Sequence, residues 1–388
     1  MQTRHPVPPT PENTLERPQT PRRSLWQQFW SIFKQNRLAV VGMVFFLLFF
    51  TTAVVGLLLT SGTKPFLDPS IIRLQEKLRP PFSRPNLASL QPDEMPFFGI
   101  YLLGTDELGR DVFARMLQGA WVSLTVGFVA VGISVVIGIF LGGIAGYFGQ
   151  NSVRLDHLLV AVILFAGGTL LALKPFWGAA LLILGGIVTL WLIFARTQKR
   201  HQSVRGMGLF NLKTLTVDTL IMRLVDIMLC FPTFFLILTV VALLPASIYN
   251  IMIVIGLTSW MGTTRFVRAE FLALREQDFV AAVQALGVGN LRIIFRHMMP
   301  NAVAPVLVSA TLGIASAILT EAGLSFLGFG VPPPHATWGN ILSDGQNFIF
   351  DAPWLTFIPG IAILVVVLAF NLFGEGLRDA LNPRLRER

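Results

Sequence analysis

The sequence predicts an all-α polytopic membrane protein. Its apolar residues are gathered into runs long enough to cross a bilayer, its charges are confined to the segments between those runs, and it is too poor in charge to be an ordinary soluble chain. Of 388 residues, 53% are hydrophobic and 13% are charged, and the mean hydropathy is +0.66. A soluble domain carries roughly 25% charged residues. A helix needs about 20 apolar residues to cross the roughly 30 Å hydrocarbon core. Six runs qualify: Ala39–Leu59, Trp121–Phe148, Thr219–Leu244, Ile248–Phe266, Ala302–Gly323 and Trp354–Phe373. Two more, His157–Leu173 and Trp177–Ala195, flank the short turn Leu173-Lys174-Pro175-Phe176 and read as a hairpin of spans, the first short enough to be re-entrant instead.

Charge orients these spans. The net charge of +9 would suit a nucleic-acid binder only if it formed a solvated basic face. Here Lys and Arg fall in short segments between the apolar runs: six in 1–37, six in 196–224, five in 265–300 and four in 376–388. These four segments alternate correctly for the cytoplasmic side if the hairpin crosses twice. Segment 321–353 has no Lys or Arg, and segment 61–115 balances seven of them with seven Asp and Glu, so both are assigned to the outside. Eight spans with both termini cytoplasmic is the resulting expectation, in an inner (plasma) membrane.

Residues 1–23 are rich in proline and polar residues and are expected to be a disordered cytoplasmic tail, with no short apolar stretch resembling a cleavable signal. Over 24–37, Trp26, Phe29, Trp30 and Phe33 recur at helical spacing opposite Gln27, Gln28, Ser31 and Lys34, the pattern of an amphipathic helix in the headgroup region. A first transmembrane helix follows over 38–60, then a proline-rich extracytoplasmic loop over 61–115, and a transmembrane region over 116–375 before the cytoplasmic tail 376–388.

The most informative segment is the predicted cytoplasmic loop 269–300. A short helix sets Phe279, Val283 and Leu286 in one stripe beside the small Ala281, Ala282 and Ala285. Gly287 suits the left-handed position that ends a helix, and Asn290 can cap the next. Arg292 and Arg296 stand at i,i+4, and Pro300 opens the following span, where a missing N–H costs little. This elbow is too apolar for water and too small for its own core. It either enters a groove on a separate protein or packs on its own bundle.

That segment resembles the cytoplasmic coupling loop of binding-protein-dependent ABC importer permeases, whose pattern is Glu-Ala-Ala, three residues, Gly, and a distal Pro. The resemblance extends through Arg37–Gly42, Leu103–Asp111, Ala145–Gly149, Met222–Asp226, Leu324–Gly328 and Asn371–Asp379, in the order of the second permease type of the dipeptide/oligopeptide/nickel subfamily. Two departures stand out. Ala281 occupies the place of the family's Glu and Val283 that of its second Ala, and about 60 residues, roughly 152–212, look inserted. The resemblance implies the ABC importer permease fold: six core transmembrane helices, to which the insertion adds a two-helix hairpin. It implies half of a translocation pathway for peptides or similar small solutes. The implied partners are a homologous second permease subunit, two cytoplasmic ATPase subunits, an extracytoplasmic substrate-binding protein and membrane lipid. Phe279, Ala281, Ala282, Val283, Leu286, Gly287, Arg292, Arg296 and Pro300 would form the ATPase-coupling loop.

No catalytic residue, cofactor or metal is expected. There is no Gly-x-x-x-x-Gly-Lys-Ser/Thr phosphate loop, no Gly-x-Ser-x-Gly nucleophile, and the five histidines are scattered. Cys230, alone, reads as small core filler. Glu321, at the end of an apolar run, is a candidate for the outer end of the pathway, with interfacial capping or pairing to a partner as the alternative. Asp226, at i,i+3 from Arg223, is a second pathway candidate, with a structural ion pair as the alternative. Pro232 should kink its span. Thr105, Asp106, Arg110 and Asp111 either contact a binding protein or tie their own turn together. An ion-gradient-driven secondary transporter or channel is the alternative from another class, and predicts inverted repeats and several intramembrane charges that the sequence lacks.

Overall fold

The computed structural model describes residues 25–62, 65–87, 90–91, 94–149, 152–153 and 215–381. The tail 1–23, the expected hairpin at 157–173 and 177–195, and residues 382–388 lie outside the described residues.

The regular structure of the described residues is helical, apart from one two-residue antiparallel pair and two isolated bridges. Helix α1 (Leu25–Gln35) precedes α2 (Arg37–Thr60), which Asn36 caps through the Ala39 N–H at 3.1 Å. Helix α2 is apolar on all sides. Only Ala39, Gly42, Phe49, Ala53, Gly56 and Thr60 are buried, one stripe at three- and four-residue spacing, and the rest of the surface is Leu, Val and Phe. A helix of that kind satisfies its backbone internally and offers lipid the remainder of its circumference.

The described residues of 61–111 are largely irregular, in keeping with their prolines, with a 3-10 turn at Leu74–Glu76. Helix α3 (Val112–Phe148) is the organising element, 37 residues long. Past Phe148, Ser152 pairs with Thr216 and Val153 with Leu215.

Beyond it, α4 (Val217–Leu229) and α5 (Thr233–Leu243) meet at a 78° bend around Pro232. The expected kink is therefore a full break, and the run 219–244 is two helices. Likewise α6 (Ile248–Thr258) and α7 (Trp260–Arg275) are interrupted at Ser259, so the run 248–266 is not one continuous span either. Helix α8 (Asp278–Ala285) leads into α9, which runs continuously over Asn290–Phe326. Helices α10 (Trp338–Gly345) and α11 (Trp354–Leu381) complete the chain.

Four helices among the described residues are long and apolar enough to cross a membrane (α2, α3, α9 and α11), or five if the bent α4–α5 pair is one span. This is coarser than the six core spans expected. The difference comes from the two breaks, which an apolar run in the sequence does not reveal.

Close packing explains the glycines of α3. A Cβ on Gly138, Gly142 or Gly146 would stand 2.6, 2.6 and 2.5 Å from atoms of Thr263, Thr264 and Phe271, so this stripe lets α7 approach backbone to backbone. The main core lies where α3 meets α2, α6, α9 and α11, around Phe49, Val122, Ile255, Ile318, Trp338 and Phe370. The aromatic face of α1 is not left to lipid alone: Phe33 is fully buried against Ala39, Phe373 and Ala380.

Candidate functional site

The elbow begins at α8. Its C-terminus closes with Gly287 at φ +72°, the Gly287 N–H donating to the Gln284 carbonyl and the Val288 N–H to the Val283 carbonyl. That double closure requires the left-handed region, so the sequence reading of Gly287 holds for a definite geometric reason. Asn290 does not cap the next helix. Gly289 occupies the cap position, and the Asn290 Oδ1 instead accepts from the Tyr147 hydroxyl at 2.9 Å.

Pro300 does open the α-helical stretch Met299–Phe326 of α9, as its second residue, just after a π-helical stretch at Ile293–Met298 in which the Met299 N–H reaches the Ile294 carbonyl, five residues back. Proline has no N–H for the usual four-residue bond, and the wider turn re-routes the hydrogen bonding around that gap.

The elbow has two faces. Val280, Ile293, Ile294 and Met298 are buried against Tyr147, Val267, Phe271 and Ala302 of the chain's own bundle. Leu286 is 80% exposed, and Leu291, Phe295 and Phe279 are exposed as well. Arg292 and Arg296 lie exposed beside them, with Ala281 and Ala282, while Val283 is half-buried. Of the two places open to the elbow, one face packs on its own bundle while the other is left exposed. The anchoring residues are Val280, Ile293 and Met298, which were missed because the α8 pattern is short enough to be drawn with more than one apolar face. Tyr147, also missed, sits in a quoted motif but reveals its role only once folded beside Asn290.

On the other side of the bundle, Thr105–Asp111 turns inward. Thr105 and Asp106 are fully buried. The Thr105 hydroxyl donates to the Glu76 carbonyl and accepts from the Arg79 N–H. Asp106 accepts from the Leu108 and Arg110 backbone N–H groups and from the Arg110 Nε at 2.7 Å. Arg115 reaches both Asp106 and Asp344, the latter at 2.8 Å, and Arg110 reaches Asp344 at 3.1 Å, which ties the loop to α10. Asp111 caps α3 through the Phe113 N–H at 2.8 Å. Burial pushes its carboxyl above the ordinary value, opposed by the Phe113 and Ala114 backbone N–H groups and by Arg73. These four residues tie their own turn together, with Thr105, Asp106 and Asp111 buried. Nearby, burial raises Tyr101 to about 12.

Glu321 is likewise enclosed. Its carboxylate accepts from Ser123 at 3.2 Å and Ser325 at 2.6 Å, and Thr337 donates on to Ser325. It holds α3, α9 and the start of α10 together rather than lining an open outer passage. Asp226 is half-exposed and pairs with Arg265 at 2.6 Å, whereas the expected partner Arg223 is at 3.9 Å. A second pair, Asp218 with Arg268, joins α4 to α7.

A bundle of long apolar helices tied by buried polar groups, with a loop that projects an apolar elbow, is a polytopic membrane protein. Residues 206–387 match the family described as binding-protein-dependent transport system inner membrane component, and residues 24–81 match the N-terminal transmembrane domain of oligopeptide transport permease C. The chain is 33% identical to the dipeptide transport system permease protein DppC of Alkalihalophilus pseudofirmus, over 100% of both chains. It is 31% identical to the oligopeptide transport system permease protein OppC of Bacillus subtilis, over 94% of this chain and 91% of that one. It is 33% identical to the di/tripeptide transport system permease protein DppC of Pseudomonas aeruginosa, over 93% and 92% respectively. The chain belongs to the permease subunits of binding-protein-dependent ABC importers, in the dipeptide/oligopeptide/nickel subfamily and of its second permease type. It is a multi-pass inner-membrane protein, and this family is one of transport permeases, not of enzymes.

Proposed function

We propose that this chain forms half of the translocation pathway of an ATP-driven importer of peptides or similar small solutes. It pairs with a homologous second permease, docks on two cytoplasmic ATPase subunits and receives solute from an extracytoplasmic binding protein, with both termini in the cytoplasm. The observation that carries the proposal is the two-faced elbow: Val280 is 0% exposed on its own bundle while Leu286 is 80% exposed on the opposite side. Four exposed apolar side chains flanked by two arginines suit a groove on a partner with an acidic rim. The anchored face supplies what coupling requires, since motion of a docked α8 is carried directly into α9 and α3. Ala281, in place of the family's Glu, removes one charge from the contact and leaves it dependent on apolar burial.

Relatives named as dipeptide and oligopeptide permeases support peptides as the cargo class. Asp226 is retained as a pathway candidate on its half-exposed position beside the α4–α5 bend. Co-purification tests the whole: the parent chain should bring down a second permease and an ATPase pair, and Leu286→Glu should lose the ATPases while keeping the permease partner. A transport-active chain isolated alone would refute it.

A further inference from the structure

Halfway along the bundle, α3, the α6–α7 junction and α9 line an open cavity of about 210 Å³, with Ser259, Gly262 and Ser316 exposed. Six hydroxyls line it, those of Ser134, Ser259, Thr263, Ser309, Ser316 and Thr320, and no ionisable side chain does. Ser259 and Thr320 donate to carbonyls of their own helices. Ser134 and Thr263 do not, although they are only 4% and 7% exposed, and neither hydroxyl has a hydrogen-bond partner among the described residues. A helical Ser or Thr ordinarily bonds the carbonyl four residues back; these two residues are largely buried, but they leave their hydroxyls to the cavity instead.

Gly262, on the same lining, is exposed, and a Cβ there would meet nothing within 4 Å, unlike those of Gly138, Gly142 and Gly146.

We infer that this cavity is a mid-membrane binding station for uncharged hydrogen-bonding groups of the solute, the amides of a peptide backbone, held by Ser134, Thr263 and Ser316. The inference rests on the importer reading. Hydroxyls can donate to a carbonyl and accept from an N–H, so they replace the water an amide sheds on leaving either surface. Without a fixed charge the station holds solute weakly enough to release it, which conduction requires.

The test uses membrane vesicles holding the complete transporter, with the exposed Cys230 changed to Ser. Ser134→Cys and Ser316→Cys are reacted with a membrane-impermeant cationic methanethiosulfonate, beside Val136→Cys, two residues along α3 and 68% exposed on the bundle's outside. Only a hydrated thiolate reacts, so the cavity thiols should label about tenfold faster than the lipid-facing one. N-acetylalanine methylamide, as an uncharged amide probe, should slow them roughly twofold at its Kd, where half the cavities are filled. Silence at 134 and 316 equal to that at 136 would overturn the inference and make this face a seam packed by another helix. Fast labelling without protection would also overturn it, leaving a water-filled space without an amide site. Loss of ATPase co-purification from the parent chain would sink the importer reading instead, whatever the thiols do.

Discussion

Leu286→Ala separates the two faces of the elbow. The side chain is 80% exposed and makes no core contact, so truncating it should leave the chain's own stability unchanged. If a partner groove covers it, the truncation removes about three carbons from burial, worth roughly 0.8 kcal/mol each, for a loss of about 2 kcal/mol. That is roughly a 30-fold fall in affinity. Val280→Ala is the mirror image. Its side chain is 0% exposed, so losing two methyls and leaving a small void should cost about 2 kcal/mol of folding stability. The assay is titration of the detergent-solubilised permease pair with purified ATPase subunits, alongside a thermal unfolding curve for each variant. Leu286→Ala should shift the titration and not the melt, while Val280→Ala should lower the melt. Unchanged ATPase affinity for both Leu286→Ala and Leu286→Glu would refute the docking argument.

Three further outcomes follow from the buried polar groups. Asp106→Asn leaves Arg110 and Arg115 sharing Asp344 alone, and should cost about 3 kcal/mol, read as a lower melting point and faster proteolysis within 61–111. Glu321→Ala strands the Ser123 and Ser325 hydroxyls in the interior and should cost about 2 kcal/mol in the same melt, with Glu321→Gln milder because its carbonyl still accepts. Tyr101 has its hydroxyl unpaired and its pKa raised from 10.0 to about 12. The unfolded state therefore releases its proton first as pH rises, and stability falls between pH 10 and about 12. Tyr101→Phe should remove that part of the alkaline loss without lowering stability at neutral pH.

The sequence by itself determined the class of fold and the place of the elbow. Membrane-spanning helices answer to run length and charge exclusion, which are local, so the apolar cores of α2, α3, α9 and α11 were legible, although α3 and α9 begin nine and twelve residues before the expected runs and α11 ends eight residues after. Gly287 was legible for the same reason, since only a left-handed residue ends α8 that way. What the sequence could not decide was whatever depends on a partner distant along the chain. The same pattern of acids and arginines at Asp106–Asp111 serves an outward contact or an inward tie, and the choice waits on Asp344, more than two hundred residues on. Asp226 takes Arg265 at 2.6 Å more closely than its helical neighbour Arg223 at 3.9 Å, because α4 and α7 lie side by side. Which apolar residue of α8 faces home is decided by where Tyr147 and Phe271 stand. Burial is a property of neighbours, and only the folded bundle supplies them.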